Sequence, residues 1–256
     1  MDLAIFSDLK NKDLRRDGIF IAEGPAVVKR LLAANWEIHS LLISEHLYLD
    51  FGPRLAGRCA VQVMSEVEIS QIVGYPFHRG ILAAGIRPAA QRLSSVLSAL
   101  PSNSHLVIAP LVTELENMGT IIRNAAAFGV GALICGDRGV DPLDRRVIRV
   151  SMGAVFNLPI VTVSYRDDCK DQLARYGFEL VATVLDSSAT LLKEFKWGGK
   201  TALVLGNEFS GIPQEWKAIC ERYVTIPMAN GVDSLNLGVA SGIFMNEMCN
   251  SEVKAQ

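Results

Sequence analysis

Short, uninterrupted apolar runs are the feature that most constrains this chain. HLVIAP (105–110), ALIC (132–135), LPIVTVS (158–164), FELVATV (178–184), TALVLG (201–206) and YVTIPM (223–228) recur through its second half. None alternates apolar with polar residues, so each reads as a strand buried on both faces. Helix-like stretches lie between them, such as MGTIIRNAAAFG (118–129), stopped by Gly129, and the segment from 234 to 248. Strands and helices in this alternation predict an α/β fold with a mostly parallel sheet covered on both sides.

The first ninety residues repeat the theme on a smaller scale. GIFIAEG (18–24), SLLIS (40–44), AVQVM (60–64) and ILAAGI (81–86) read as strands. PAVVKRLLAANW (25–36), with Pro25 in its first turn, and SEVEISQIVG (65–74) read as helices. The stretch from Pro88 to Ser104, flanked by Pro and Ser, suits a linker. The expected organisation is a small α/β domain over 1–90, a linker over 91–104 and a larger α/β domain over 105–256.

With 256 residues, half of them hydrophobic, the chain has enough apolar material for two cores and lies outside the composition of disordered chains. No apolar run reaches the ~18 residues of a membrane span, and the acid-bearing start does not resemble a signal peptide. A cytoplasmic protein without membrane contact is expected. The net charge of −2 does not announce a nucleic-acid binder, so any such role must rest on local patches. The five cysteines are scattered without Cys-x-x-Cys spacing, which points to reduced thiols and no metal site. All four histidines lie before residue 106, and no Gly-x-Ser-x-Gly is present, which counts against a serine hydrolase. GGKT (198–201) imitates the end of a P-loop, but Glu194 occupies the first glycine position and the segment precedes a strand.

Ligands of parallel sheets bind beyond the carboxyl ends of the strands, and three such ends are rich in polar and small residues. ELENMGTIIRNAAAFG (114–129) follows the first run and carries Asn117, Gly119, Arg123 and Asn124. On its own this segment is better explained by Asn117 as a helix N-cap and Arg123 as a solvated helix charge. LVLGNEFSGIP (203–213) carries an Asn-Glu pair between glycines that permit positive φ and close backbone approach. IPMANGVDSLNLGVASGIF (226–244) leads through Ser234, Leu235 and Asn236 into a helix of small residues. That helix suits both a polar ligand at its start and tight packing along its length.

Together the three segments resemble, in order and spacing, the motifs of the SpoU/TrmH family of RNA ribose 2′-O-methyltransferases in the SPOUT superfamily. The first is Asn117-x-Gly119-x-x-x-Arg123-x-Ala125-x-x-Phe128-Gly129. The second is Leu205-Gly206-Asn207-Glu208-x-x-Gly211-Ile212. The third is Ile226-Pro227-Met228 followed by Ser234-Leu235-Asn236. SMGAVFNLPI (151–160) resembles a further family segment, while KNKDLRRDGIFIAEGPAVV (10–28) and HRGILA (78–83) resemble the ribosomal-protein-like RNA-binding domain that often precedes this catalytic domain. Two departures stand out: Leu115-Glu116 replaces an Asp-Pro, and Phe209 stands where glycine is common.

The resemblance implies a carboxyl-terminal sheet tied in a deep trefoil knot and a homodimer formed through that domain. It implies S-adenosylmethionine as cofactor, contacted by Leu205, Gly206, Asn207, Glu208, Ile226, Met228, Ser234, Leu235 and Asn236. It implies Asn117, Arg123, Glu208 and Asn236 as the catalytic set, with Arg123 working near the partner subunit's cofactor. Guanidinium stays protonated in proteins, so Arg123 fits a phosphate clamp better than a base. Glu208, water or an RNA phosphate could accept the 2′-hydroxyl proton. Lys10, Lys12, Arg15, Arg16 and Arg79 are the expected contacts to ribosomal or transfer RNA. An RNA base methyltransferase and a non-catalytic RNA-binding protein are the alternatives.

Overall fold

The computed structural model describes residues 3–7, 9, 14, 18–55, 57–164 and 169–250. The chain forms two compact units: Met1–Ala89 with Leu143–Phe156, and Ala90–Pro142 with Asn157–Gln256. Among the described residues no helix is long and apolar enough to cross a membrane.

The first unit begins with β1 (Ile19–Glu23), α1 (Pro25–Ala33), β2 (Ile38–Ser44) and α2 (Glu45–Leu55). It continues with β3 (Ala60–Met64), α3 (Glu66–Val73) and β4 (Ile81–Ile86). The sheet order is β1-β4-β2-β3, with β4 antiparallel to both neighbours and β2 parallel to β3. Ser65 and Glu68 close a reciprocal capping box at the start of α3, and Gly74 ends it at φ 80°. Ile21, Leu42, Ile69, Val73, Phe77 and Leu82 form the core. Helix α2 has no counterpart in the sequence reading, because Gly52 and Pro53 argue against a helix that nevertheless runs through them.

In the second unit α4 (Leu93–Ala99) precedes β5 (Leu106–Ala109), α5 (Leu115–Ala127) and β6 (Ala132–Gly136). The next helix, α6 (Arg145–Val150), belongs to the first unit. Then follow β7 (Ile160–Val163), α7 (Cys169–Arg175), β8 (Glu179–Thr183), β9 (Thr190–Leu191) and β10 (Thr201–Val204). The chain closes with α8 (Gln214–Lys217), β11 (Arg222–Thr225) and α9 (Leu237–Asn250). The sheet order is β7-β6-β5-β10-β8-β11-β9, and every pairing is parallel. The parallel order is what the apolar runs predict, and β5 and β10 are buried throughout, but the edge strand β7 departs from burial on both faces, because Thr162 is exposed.

Residues read as a linker carry α4, whose Leu93, Val96 and Leu97 are buried in the second unit's core beside Leu106, Ile134 and Leu180. The 143–156 segment packs on the first unit instead of on its neighbours in sequence. Arg145 pairs with the buried Glu23 at 3.3 Å, and Arg79 approaches the same carboxylate at 3.0 Å. Arg30 donates to the Met152 carbonyl, and Trp36 Nε1 donates to the Phe156 carbonyl at 3.1 Å. The rings of Phe20, Trp36 and Phe156 meet edge-on or tilted, with centroids 5.3–5.6 Å apart.

Candidate active site

The polar turns after β5, β10 and β11 all lie beyond carboxyl ends of parallel strands, and they surround one cavity of about 740 Å³. That volume falls in the ~300–1,000 Å³ range of small-molecule sites. Gly206, Asn207, Glu208, Ile226, Met228, Ser234, Leu235 and Asn236 line it, as does Asn117. Leu205 does not: its side chain is buried behind the wall, and its N–H donates to the Ile108 carbonyl at 2.9 Å.

Three of the four expected catalytic side chains are joined by hydrogen bonds. Asn117 Nδ2 donates to Glu208 Oε1 at 2.9 Å, and Asn236 Nδ2 donates to Asn117 Oδ1 at 2.9 Å. Asn117 is not an N-cap, because α5 starts at Leu115 and holds Asn117 buried in its first turn. Asn236 caps α9, its Oδ1 accepting from Val239 N at 3.2 Å. The chain thus links the β5–α5 turn, the turn after β10 and the start of α9. Arg123 is not brought into it. It sits on the exposed side of α5, outside the cavity lining.

Glu208 accepts further bonds from Asn207 Nδ2 at 2.9 Å, Thr113 Oγ1 at 3.3 Å, Thr113 N at 3.5 Å and Glu114 N at 3.4 Å. These donors occupy both oxygens, and all are uncharged. Thr113 escaped the sequence reading because nothing in its local pattern marks it. The turn Val184–Asp186 after β8, which also lines the cavity, escaped too. The carboxyl-end rule applied to FELVATV would have found it.

The turn after β10 is held rigidly. Asn207 N donates to Gly211 O at 2.7 Å, and Gly211 N returns a bond to Asn207 O at 3.1 Å. Asn207 Oδ1 accepts from Phe209 N, Ser210 N and Ser210 Oγ at 2.9–3.0 Å. Gly211 has φ 71°, as the turn requires, whereas Gly206 does not adopt positive φ. What crowds a side chain at Gly206 is the turn itself, since a Cβ there would sit 3.1 Å from the Gly211–Ile212 backbone, which would have to give by a few tenths of an ångström.

Among the described residues that line the cavity, Glu114, Glu116, Asp186 and Glu208 stand with one cation, Lys217. Hydrogen bonds from the Ser188 N–H and hydroxyl hold the Asp186 carboxyl below its ordinary range. Ile212, Ile226, Leu235 and Ala240 supply apolar wall. Acidic groups combined with apolar wall suit a ligand that carries both a flat apolar group and positive charge.

The small-residue helix α9 packs on α5. A Cβ at Gly238 would meet Thr120 Cγ2 at 2.9 Å, and one at Gly242 would meet Asn124 Nδ2 at 3.1 Å. Asn124 Nδ2 donates to Gly238 O at 3.0 Å and to Ser241 Oγ at 3.1 Å. Of the expected RNA contacts, Lys10, Lys12, Arg15 and Arg16 lie outside the described residues, and Arg79 is half exposed in its pair with Glu23.

The model of the SpoU rRNA Methylase family matches residues 104–246. An uncharacterized tRNA/rRNA methyltransferase of Mycobacterium tuberculosis is 30% identical over 255 residues, 96% of this chain and 88% of its own. A 23S rRNA (guanosine-2′-O-)-methyltransferase of Acinetobacter baylyi is 29% identical over 194 residues, 74% of this chain and 78% of its own. The crystal structure of an AdoMet-bound rRNA methyltransferase from Sinorhizobium meliloti matches with TM-score 0.84 at 25% identity, over 98% of this chain and 94% of that one. The SpoU methyltransferase AviRb from Streptomyces viridochromogenes shares the fold, with TM-score 0.85 at 22% identity over 99% and 98% of the two chains. Matched by that model over more than half its length, with residues from all three motif segments lining one cavity, the chain belongs to the SpoU rRNA Methylase family.

Proposed function

We propose that this protein transfers a methyl group from S-adenosylmethionine to a ribose 2′-hydroxyl of ribosomal or transfer RNA. The observation that carries the reading is the Asn236–Asn117–Glu208 chain on the wall of an acidic, partly apolar cavity. S-Adenosylmethionine fits that wall, with apolar side chains for its adenine and carboxylates for its sulfonium and ammonium charges. Gly206, Asn207, Glu208, Ile226, Met228, Ser234, Leu235 and Asn236 would hold it, with Leu205 supporting the wall from behind.

When bound, S-adenosylmethionine supplies an electrophilic methyl on a positively charged leaving group. The ribose 2′-oxygen takes that methyl and gives up its proton. Glu208, its oxygens already accepting from four residues, anchors its own turn to the 113–117 segment, which Asn117 in turn ties to the start of α9. The proton then goes to water or to an RNA phosphate. Asn117 and Asn236 keep the segments in register, and alignment of this kind can be worth ~7–11 kcal/mol of barrier. Arg123 clamps an RNA phosphate and offsets charge in the transition state.

A homodimer completes this reading. Exposed Val239 and Ile243 line a shallow groove with Thr120, Asn124 and Gly242, and Arg123 neighbours that groove on α5. A second copy seated there would let each Arg123 serve the other's cavity. The carboxyl end of the second unit would be a deep trefoil knot, supported by β10 lying between β5 and β8 and by α9 packing on α5. The first unit, ribosomal-protein-like in this reading, captures RNA through Arg79 and the basic residues near the start, and the protein works in the cytoplasm.

The test is transfer of tritiated methyl to RNA from cells lacking the gene, followed by nuclease digestion to nucleosides. Label on ribose is expected; label on a base would shift the reading to base methylation. Absence of both transfer and S-adenosylmethionine binding would leave a non-catalytic RNA-binding protein. Mixing inactive Arg123→Ala with inactive Glu208→Gln should restore activity in the heterodimer, and no restoration would refute the cross-subunit role.

A further inference from the structure

We infer that Phe209 is a stacking platform for an unpaired RNA base at the mouth of the cavity. The inference rests on the reading of the chain as an RNA methyltransferase. Phe209 is 85% exposed, the most exposed large hydrophobic side chain among the described residues, and it lines the cavity directly after Glu208. Isolated exposed apolar side chains need no explanation, but this one differs in two respects.

First, its backbone is locked. Asn207 Oδ1 accepts from the N–H groups of both Phe209 and Ser210, and the Asn207–Gly211 backbone pair closes the turn beneath them. The ring is therefore carried by a fixed turn, with little backbone ordering left to offset on binding. Second, it is not alone. Leu185, 67% exposed, and Leu235, 36% exposed, line the same cavity, so three exposed apolar side chains belong to one opening.

An anionic RNA strand has little reason to approach carboxylates, and an apolar platform provides an attraction that charge does not. Aromatic faces hold splayed-out bases by stacking, with tolerance for base identity. A base stacked on Phe209 would bring its own ribose to the edge of the cavity where the reacting groups lie. Phe209 is thus a positioning residue for substrate, distinct from the side chains that would hold the cofactor.

The experiment compares wild type, Phe209→Ala and Phe209→Tyr. Phe209→Ala should raise KM for RNA from gene-deleted cells by about 5- to 100-fold, with kcat changed much less. Phe209→Tyr should restore KM, and S-adenosylmethionine affinity measured by calorimetry should be the same in all three. A mixed-sequence single-stranded 12-nucleotide RNA, fluorescently labelled, gives a readout independent of catalysis, and Phe209→Ala should weaken its binding by a similar factor. If wild type transfers no methyl, the functional reading fails, and the 12-nucleotide binding alone decides the role of Phe209. Unchanged RNA KM and unchanged binding would overturn the inference. So would an equal loss of S-adenosylmethionine affinity, which would make the ring a cover for the cofactor. A change to monomer in light scattering would make it an interface residue instead.

Discussion

Glu23 in the first unit and Glu208 in the second are both carboxylates with several partners, but the partners are of opposite kinds. Glu23 is 3% exposed and faces two guanidinium groups, Arg79 and Arg145, the latter also bonded to Tyr75 Oη. Its charge is neutralised where it sits. Burial, and next the charge of Glu23, push the Tyr75 phenol above its ordinary pKa, so the hydroxyl remains a neutral member of the cluster. Glu208 is held by amides, a hydroxyl and backbone N–H groups, all neutral. Its shape is fixed while its negative charge remains available to the cavity. The first arrangement ties a chain-distant segment to a sheet; the second holds a carboxylate on the cavity wall with neutral donors alone. The lesson is that the number of hydrogen bonds on a carboxylate says less about its role than the charge of its donors.

Three experiments test the contrast. The largest effect is expected from Glu208→Gln, which keeps the shape but removes the charge and places an NH2 against donors. Methyl transfer should fall by ~10²-fold or more, as misplacement of reacting groups can cost. Urea unfolding should move by only ~1 kcal/mol, the cost of donors left facing an NH2; a large loss of stability with activity kept would reverse the roles of the two carboxylates.

Glu23→Gln should do the opposite. It leaves two guanidinium groups without their counter-charge, and breaking a buried pair of this kind costs ~3–5 kcal/mol. Half exposure of Arg79 reduces that to about 2 kcal/mol, read from the shift in urea midpoint. S-Adenosylmethionine affinity should be unaltered, because its proposed site lies wholly in the other unit.

The smallest effect sharpens how local each disturbance is. Burial pushes the Cys135 and Cys220 thiols of the second unit up to about 12, and raises that of Cys59 in the first. Iodoacetamide at pH 8.5 should therefore label Cys135 and Cys220 slowly in wild type and in Glu23→Gln, while labelling of Cys59 should rise in that variant. The folded thiols hold their protons more tightly than the unfolded ones, so stability should decline as pH climbs from about 9 towards 12. Equal acceleration at all three cysteines would show that Glu23→Gln opens the whole molecule.

Particular residues show how far local pattern reaches. The runs around Ile108, Ile134, Val181 and Leu203 identify buried parallel strands because burial on both faces erases alternation. Ser65, Glu68 and Gly74 bound α3 because caps are satisfied by side chains close in sequence. Helix α2 stays hidden behind Pro53, and α4 behind its Pro and Ser flanks, because packing outweighs local propensity in both. Within residues 114–129 Asn117 reads first as an N-cap, and what overturns this is the start of α5 at Leu115 and the bond from Asn117 to Glu208, 91 positions away.

By itself the sequence determined the strand and helix alternation, the parallel character of the second sheet and the three motif turns that mark the family. These depend on neighbouring residues, where periodicity and capping act. Tertiary structure alone decided that 143–156 belongs with the first unit, that Arg123 stands away from the cavity and that Phe209 lines it while 85% exposed. It also decided which donors reach Glu208. Partners of a buried or anchored charge are chosen by distance in space, and a charge on one strand can be matched by any residue that folding brings within about 3 Å.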